Sequence, residues 1–123
     1  MEFRKSHSIF EQIADHVCNS VLTGMYKEGE KIPSVRHMAG EVQVNPNTIM
    51  RAYTYLQEQG ILLNRPGIGF FCVDNARAMI LARNRRIFIK EDIPVVFDNM
   101  LALGIGLSDL EDLFNEHRNG VQK

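Results

Sequence analysis

The stretch from Val44 to Gly60 leaves the chain little choice of fold. Asn45 is a strong N-cap. Pro46 suits the first helical position because its missing N–H would be an orphan there, and Gly60 can stop the helix two residues past Glu58. At about 100° per residue, Ile49, Ala52, Tyr53 and Leu56 share one side. Asn47, Arg51, Thr54 and Glu58 lie opposite, with Thr48 and Met50 on the flanks. A helix of this kind must bury one side and expose the other, and its outward first turns carry the donors and acceptors that base edges and phosphates require.

The flanking segments predict what it packs against. Ser8 and Glu11 have the spacing of a capping box, and Phe10, Ile13, Ala14, Val17, Cys18, Val21 and Met25 recur with a helical period, which predicts a helix ending at Thr23 and Gly24. Tyr26 to Glu30 reads as a turn. Lys31 to Pro33 reads as extended, since the residue before a proline is pushed toward the β region. Ser34 caps a second, short helix from Val35 to about Val42. Two helices joined by a three- or four-residue turn, the second capped and polar outward, make a helix-turn-helix. Ile61 to Arg65 then reads as a strand, Pro66 to Gly69 as a turn, and Phe70 to Val73 as a return strand. A hairpin directly after a helix-turn-helix is a wing, and Gly67 and Gly69 would let backbone N–H groups approach a phosphate.

Beyond the wing, Asp74 or Asn75 can cap a helix from Ala76 to about Lys90, and Pro94 is expected to break or kink it. The helical period resumes from Asp92 or Ile93 to Leu103, and Gly104 to Gly106 ends that run. Ser108 and Glu111 form a second capping box that opens a last short helix, fraying from about Asn119. The apolar side chains of this tail are Met79, Ile80, Ile87, Phe88, Val96, Phe97, Met100, Leu101, Leu110, Leu113 and Phe114. Two or three short helices cannot enclose a stripe of that size, so the tail is expected to pack through these residues against the same tail of a second subunit, as a two-fold homodimer. The expected fold class is mainly α (α+β). A winged helix-turn-helix DNA-binding domain with a two-stranded wing spans residues 1–74, and a short helical dimerisation tail spans 75–123.

The formal net charge of −1 argues against a nucleic-acid partner only until it is divided along the chain. Residues 1–64 carry −1, residues 65–90 carry +5 and residues 91–123 carry −5, so a basic middle can face phosphate while an acidic tail turns away. No apolar run approaches the roughly 20 residues of a membrane span, and Met1 to His7 lack the apolar core and cleavage site of a signal peptide. A cytoplasmic location without a membrane partner is expected. Cys18 and Cys72 form no ligand pattern and read as small apolar residues in a reducing compartment. His16 and Cys18 are two apart on a helix and do not face each other, and His7, His37 and His117 are isolated. With no catalytic group, metal site or cofactor motif, an enzyme is not expected.

Taken together, Ile13-Ala14, Gly24 with Gly29, Ile32-Pro33-Ser34-x-Arg36, Val44-Asn45-Pro46-Asn47-Thr48, Arg51-Ala52-Tyr53, Leu56 with Gly60, and Arg65-x-Gly67-x-Gly69-x-Phe71 resemble the GntR family of bacterial transcription regulators in order and spacing. The short tail, with Pro94 and the passage from Leu103 to Ser108, resembles the YtrA-type branch. The resemblance implies a dimeric repressor that binds double-stranded DNA at a pseudo-palindromic, inverted-repeat operator of a transporter or membrane-protein operon. It also implies that Ser34 and Arg36 contact phosphate, that Asn45, Asn47, Thr48 and Arg51 lie at recognition-helix positions, and that Gly67 and Gly69 form the wing tip, with Arg65 beside them. Phe70 stands where the family usually has a small polar residue, which removes a hydroxyl contact to phosphate, and Ile68 stands where many relatives have a basic or small one. The larger family members attach an effector domain for which this tail has no room. A small-molecule effector, as yet unidentified, would have to bind at the dimer interface or between the tail and the winged domain. A second reading is a winged-helix protein–protein interaction module without DNA binding, with Met50, Tyr55 and Phe70 as anchors, and the balanced charge of residues 1–64 favours it slightly.

Overall fold

The computed structural model describes residues 8–121; Met1 to His7, on which the signal-peptide reading rests, lie outside the described residues. The winged helix-turn-helix expected from the sequence is present. It is built from α1 (Ile9–Leu22), α2 (Val35–Val42), α3 (Pro46–Glu58), β1 (Leu62–Arg65) and β2 (Gly69–Cys72). Three helices follow: α4 (Ala76–Ile87), α5 (Ile93–Leu103) and α6 (Leu107–Val121). Packing groups the chain into two units, Met1–Arg83 and Asn84–Lys123.

The first unit is organised around the buried side of α3. Ile49, Ala52, Tyr53 and Leu56 are fully buried. They meet Ile13, Ala14, Val17, Cys18 and Val21 of α1, Met38 and Ala39 of α2, Leu62, Phe70 and Cys72 of the hairpin, and Ala76 and Ile80 of α4. Tyr53 lies edge-on to Phe70 at 5.1 Å between centroids, and its hydroxyl donates to the Pro33 carbonyl at 2.8 Å, so even the polar tip of this core ring is satisfied. Met25, read with the α1 period, falls beyond the end of that helix and is 70% exposed.

The caps are local and follow the sequence closely at the N-terminal end. The Glu11 carboxylate accepts from the Ser8 N–H and hydroxyl, the Ser34 hydroxyl oxygen accepts from the His37 N–H, and Asn45 Oδ1 accepts from the Asn47 N–H. Between α2 and α3 the turn runs over residues 43–45. Gln43 takes the left-handed conformation (φ 55°), and both it and Val44 donate to the Ala39 carbonyl.

The hairpin pairs Leu62 with Cys72, Leu63 with Phe71, Asn64 with Phe70 and Arg65 with Gly69. The extended Glu30–Ile32 segment joins its edge: Lys31 bridges to Phe71, the Ile32 N–H donates to the Phe70 carbonyl, and the Cys72 N–H donates to the Glu30 carbonyl. At the tip the Ile68 N–H donates to the Arg65 carbonyl across Pro66 and Gly67. Gly67 has φ 78°, as the second central residue of a type II turn requires.

The later helices depart from the sequence reading in three places. Neither Asp74 nor Asn75 caps α4 with its side chain; the Glu28 carboxylate, distant in sequence, accepts the Arg77 N–H at 3.1 Å. Pro94 does not break the helix. Residues Phe88–Asp92 widen into a π-turn, with the Ile93 N–H reaching back to the Phe88 carbonyl, and this extra residue relieves the clash a proline ring makes with the carbonyl four residues earlier. The last helix starts at Leu107, so Ser108 lies inside it; the box is set two residues earlier, with Asp109 Oδ2 accepting the Gly106 N–H at 3.0 Å. It also continues to Val121, past the expected fraying point. Among the described residues no single helix is long and apolar enough to cross a membrane.

Candidate nucleic-acid interface

On α3 the outward side chains are those the sequence places there: Asn47, Arg51, Thr54 and Glu58 are exposed and Thr48 is half-buried. Asn45 is exposed too, but its acceptor oxygen is committed to the cap, which leaves its amide NH₂ to donate. Ser34 is likewise engaged as an acceptor at the start of α2 and keeps its hydroxyl proton, while Arg36 stands exposed two residues along. His37, beside it, lies 3.4 Å from Glu41 on the exposed face. The Arg51 guanidinium is laid over the Phe10 ring of α1, 4.0 Å from its centroid.

In the wing, Arg65 stacks over Phe71 at 4.6 Å, diagonally across the hairpin, and Pro66, Gly67 and Ile68 are exposed at the tip. Gly69 is not an open approach to a phosphate. It has φ 140°, pairs with Arg65 and lies under the Lys31 stem, whose Cε would be 2.8 Å from an added Cβ. Lys31 itself is exposed beside the hairpin, a cation that sequence reasoning missed because its neighbour Phe71 is forty residues away.

The basic middle of the chain is less available than its charge implies. Arg77 donates to the Val21 and Leu22 carbonyls at 3.3 and 2.9 Å, at the C-terminal end of α1. Arg83 is 2% exposed, with Nη2 3.0 Å from Asp15 Oδ1 and Nε 3.1 Å from the Tyr55 hydroxyl. These two cations hold helices together and do not face a phosphate. Among the described residues of this unit, the exposed cations outside these contacts are Lys27, Lys31, Arg36, Arg51 and Arg65.

The anchors of the interaction-module reading are largely occupied within the chain. Phe70 is only 8% exposed and packs on Tyr53; Tyr55 is taken up by Phe10 and Arg83. Of the three, Met50 alone is open, at 45%. Both cysteines are buried, and burial pushes the Cys18 and Cys72 thiols up to about 11, so they stay protonated at neutral pH.

A capped helix with a buried apolar side and an exposed Asn/Thr/Arg side, followed by a glycine-turned wing, is matched from residue 9 to residue 72 by the family model for bacterial regulatory proteins of the gntR family. The chain belongs to the GntR family. It is 33% identical to the HTH-type transcriptional repressor YtrA of Bacillus subtilis over 113 residues, 92% of this chain and 86% of that one. A GntR-family regulator from Bacteroides thetaiotaomicron superposes with a TM-score of 0.79 at 38% identity, covering 91% of this chain and 97% of the other. A GntR-family regulator from Listeria monocytogenes gives 0.72 at 30% identity over 93% and 98%. Because the likeness to YtrA runs through the tail, this GntR chain falls with the short-tailed YtrA-type branch. It is a transcriptional regulator with a DNA-binding winged helix-turn-helix, not an enzyme.

The eleven tail residues expected at a dimer interface are placed unevenly. Ile80 is fully buried in the core of its own winged unit and offers no face to a second copy, while Met79 packs against that core and is half-buried. Phe88, Val96, Phe97, Leu101, Leu113 and Phe114 are exposed, and Ile87, Met100 and Leu110 are half-buried. Ile89, Val95, Leu103 and Leu107 are exposed apolar residues that the sequence reading did not single out.

Proposed function

We propose that the chain is a dimeric transcriptional repressor whose two α3 helices enter successive major grooves of a pseudo-palindromic operator. Residues 1–74 serve as the DNA-binding domain and residues 75–123 as the dimerisation tail. The observation that carries the DNA reading is the division of α3, in which four apolar residues are fully buried and Asn47, Arg51 and Thr54 face outward. In this reading Asn47, Arg51 and Thr48 meet base edges. Ser34, Arg36, Arg65 and the wing-tip backbone at Gly67 fix the phosphates, with Asn45 at the start of the recognition helix and Gly69 shaping the turn behind the tip.

The dimer is supported by the second unit, in which none of the described residues 84–121 is buried although α5 and α6 carry Phe97, Leu101, Leu113 and Phe114. An apolar surface of this extent needs a partner, and a second copy of the same helices is self-complementary. Repression agrees with the relative named a transcriptional repressor, and a transporter or membrane-protein operon agrees with the YtrA-type resemblance. Such a protein acts in the cytoplasm. A small-molecule effector would bind at the tail–tail interface and shift the spacing of the two reading helices.

Selection of duplexes from a random library, followed by titration at two salt concentrations, tests this. Arg51→Ala is expected to lose about 1–3 kcal/mol on the selected duplex and to relax its sequence preference. Arg36→Ala is expected to weaken all duplexes alike and to lower the salt slope by about one. Unchanged binding of the selected duplex by Arg51→Ala would remove the recognition role, and salt-independent binding would remove the phosphate contacts.

A further inference from the structure

Arg51 is the cation on the outward side of α3, and what holds it comes from a different helix. Its guanidinium lies 4.0 Å above the centroid of Phe10, in the first turn of α1. Phe10 is half-buried against the core and meets Tyr55 edge-on, with centroids 5.7 Å apart and planes at 78°. Tyr55 is fixed in turn by Arg83, which donates to its hydroxyl and lies 5.4 Å from its ring. The Phe10 platform is therefore backed by a second ring and by a buried charge, and cannot swing freely.

The chemistry of this contact differs from an ion pair. A guanidinium stacked on a ring uses its face, and its five N–H donors remain in the plane, free to address a base or phosphate. A carboxylate partner would occupy those same donors. Glu58 lines the groove of about 340 Å³ shared by Phe10, Arg51, Thr54 and Tyr55, yet no ion pair joins it to Arg51 among the described residues. The aromatic face thus orients the arginine without neutralising it and reduces the rotamer freedom that a long exposed side chain loses on binding.

We propose that Phe10 is a specificity-determining positioning residue, which presents the Arg51 fork to DNA from outside the recognition helix. The inference rests on the recognition role given above to Arg51. Phe10→Leu keeps an apolar side chain against the core and removes the π face.

The test is a double-mutant cycle with the full-length chain on the selected duplex and on duplexes with single base-pair changes. Phe10→Leu is expected to weaken the selected duplex about two- to five-fold, the factor an exposed cation–π contact supports, with unspecific duplexes unaffected. The loss should vanish in the Arg51→Ala background, and Phe10→Tyr, which keeps the ring, should bind as the parent does. In the free protein the Arg51 Hδ protons should carry an upfield ring-current shift that Phe10→Leu abolishes and Phe10→Tyr retains.

Equal weakening of every duplex, the same loss with Arg51 absent, or no ring-current shift in the parent overturns the role of Phe10. If Arg51→Ala loses base discrimination and Phe10→Leu keeps it, Phe10 alone is ruled out. If Arg51→Ala discriminates as the parent does, both assignments fall.

Discussion

Arg83 holds three helices of the winged unit at one point, which makes Arg83→Met the most informative perturbation of stability. Its side chain is 3% exposed and reaches Asp15 of α1 and Tyr55 of α3 at 3.0 and 3.1 Å, while its own backbone belongs to α4. Methionine preserves most of the stem volume and removes the charge. Withdrawing one partner of a fully buried ion pair costs about 3–5 kcal/mol, chiefly through the charge left behind. The Asp15 side chain is 21% exposed, so water reaches it and the loss should fall to about 2–3 kcal/mol. In a unit of this size that lowers Tm by roughly 10–20 °C. The chain has no tryptophan, and Tyr26, Tyr53 and Tyr55 all lie in the winged unit, so tyrosine fluorescence during urea unfolding reports on that unit alone. Adding Asp15→Leu to Arg83→Met should restore most of the loss, since an apolar pair of similar volume can replace a buried ion pair at little cost. Stability within 0.5 kcal/mol of the parent for Arg83→Met alone would refute the reasoning, because the guanidinium would then not be what ties the helices.

Two further outcomes follow from the geometry. Gly69→Ala must hold a φ of 140° that L side chains rarely adopt, so, with the exposed end of Lys31 free to move aside, it should destabilise the wing by roughly 1–3 kcal/mol, visible as faster amide exchange at Phe70 and Phe71. The Cys18 and Cys72 thiols are raised by burial from 9.0 to about 11, so the unfolded chain releases these protons first as pH rises. Their contribution is complete below about pH 9 and lost by about pH 11; Cys18→Ala should flatten that alkaline decline, and an unchanged pH profile would contradict the assignment.

What was legible in the sequence was what the chain decides locally. The Asn45 and Ser34 caps, the period of α3 and the Pro66-Gly67 turn each depend on residues within a few positions of one another, and each is found where the spacing puts it. What was not legible depends on partners far along the chain. Arg77 and Arg83 read as members of a basic patch until folding brings them to Val21, Leu22 and Asp15, more than 50 residues upstream. Lys31 reads as an isolated lysine until β2 arrives beside it. Phe10 reads as one more core residue of α1, and nothing in its own neighbourhood announces that Arg51 lies on its outer face. At Pro94 the form of the disturbance was not legible: a helix can admit one extra residue per turn, and the π-turn at Phe88–Asp92 does so without leaving a sequence period behind.

The central claim is that two copies of this chain, joined by their tails, present two α3 helices at a fixed separation. Titration of the full-length protein against the selected inverted repeat, and against the same repeat with five base pairs inserted at its centre, measures that separation directly. Five base pairs turn one half-site by about half a helical turn, to the opposite side of the duplex. The account predicts a two-to-one complex on the first duplex and, on the second, affinity no better than that of a single half-site. Equal affinity for both duplexes, or a one-to-one complex on the intact repeat, would contradict it.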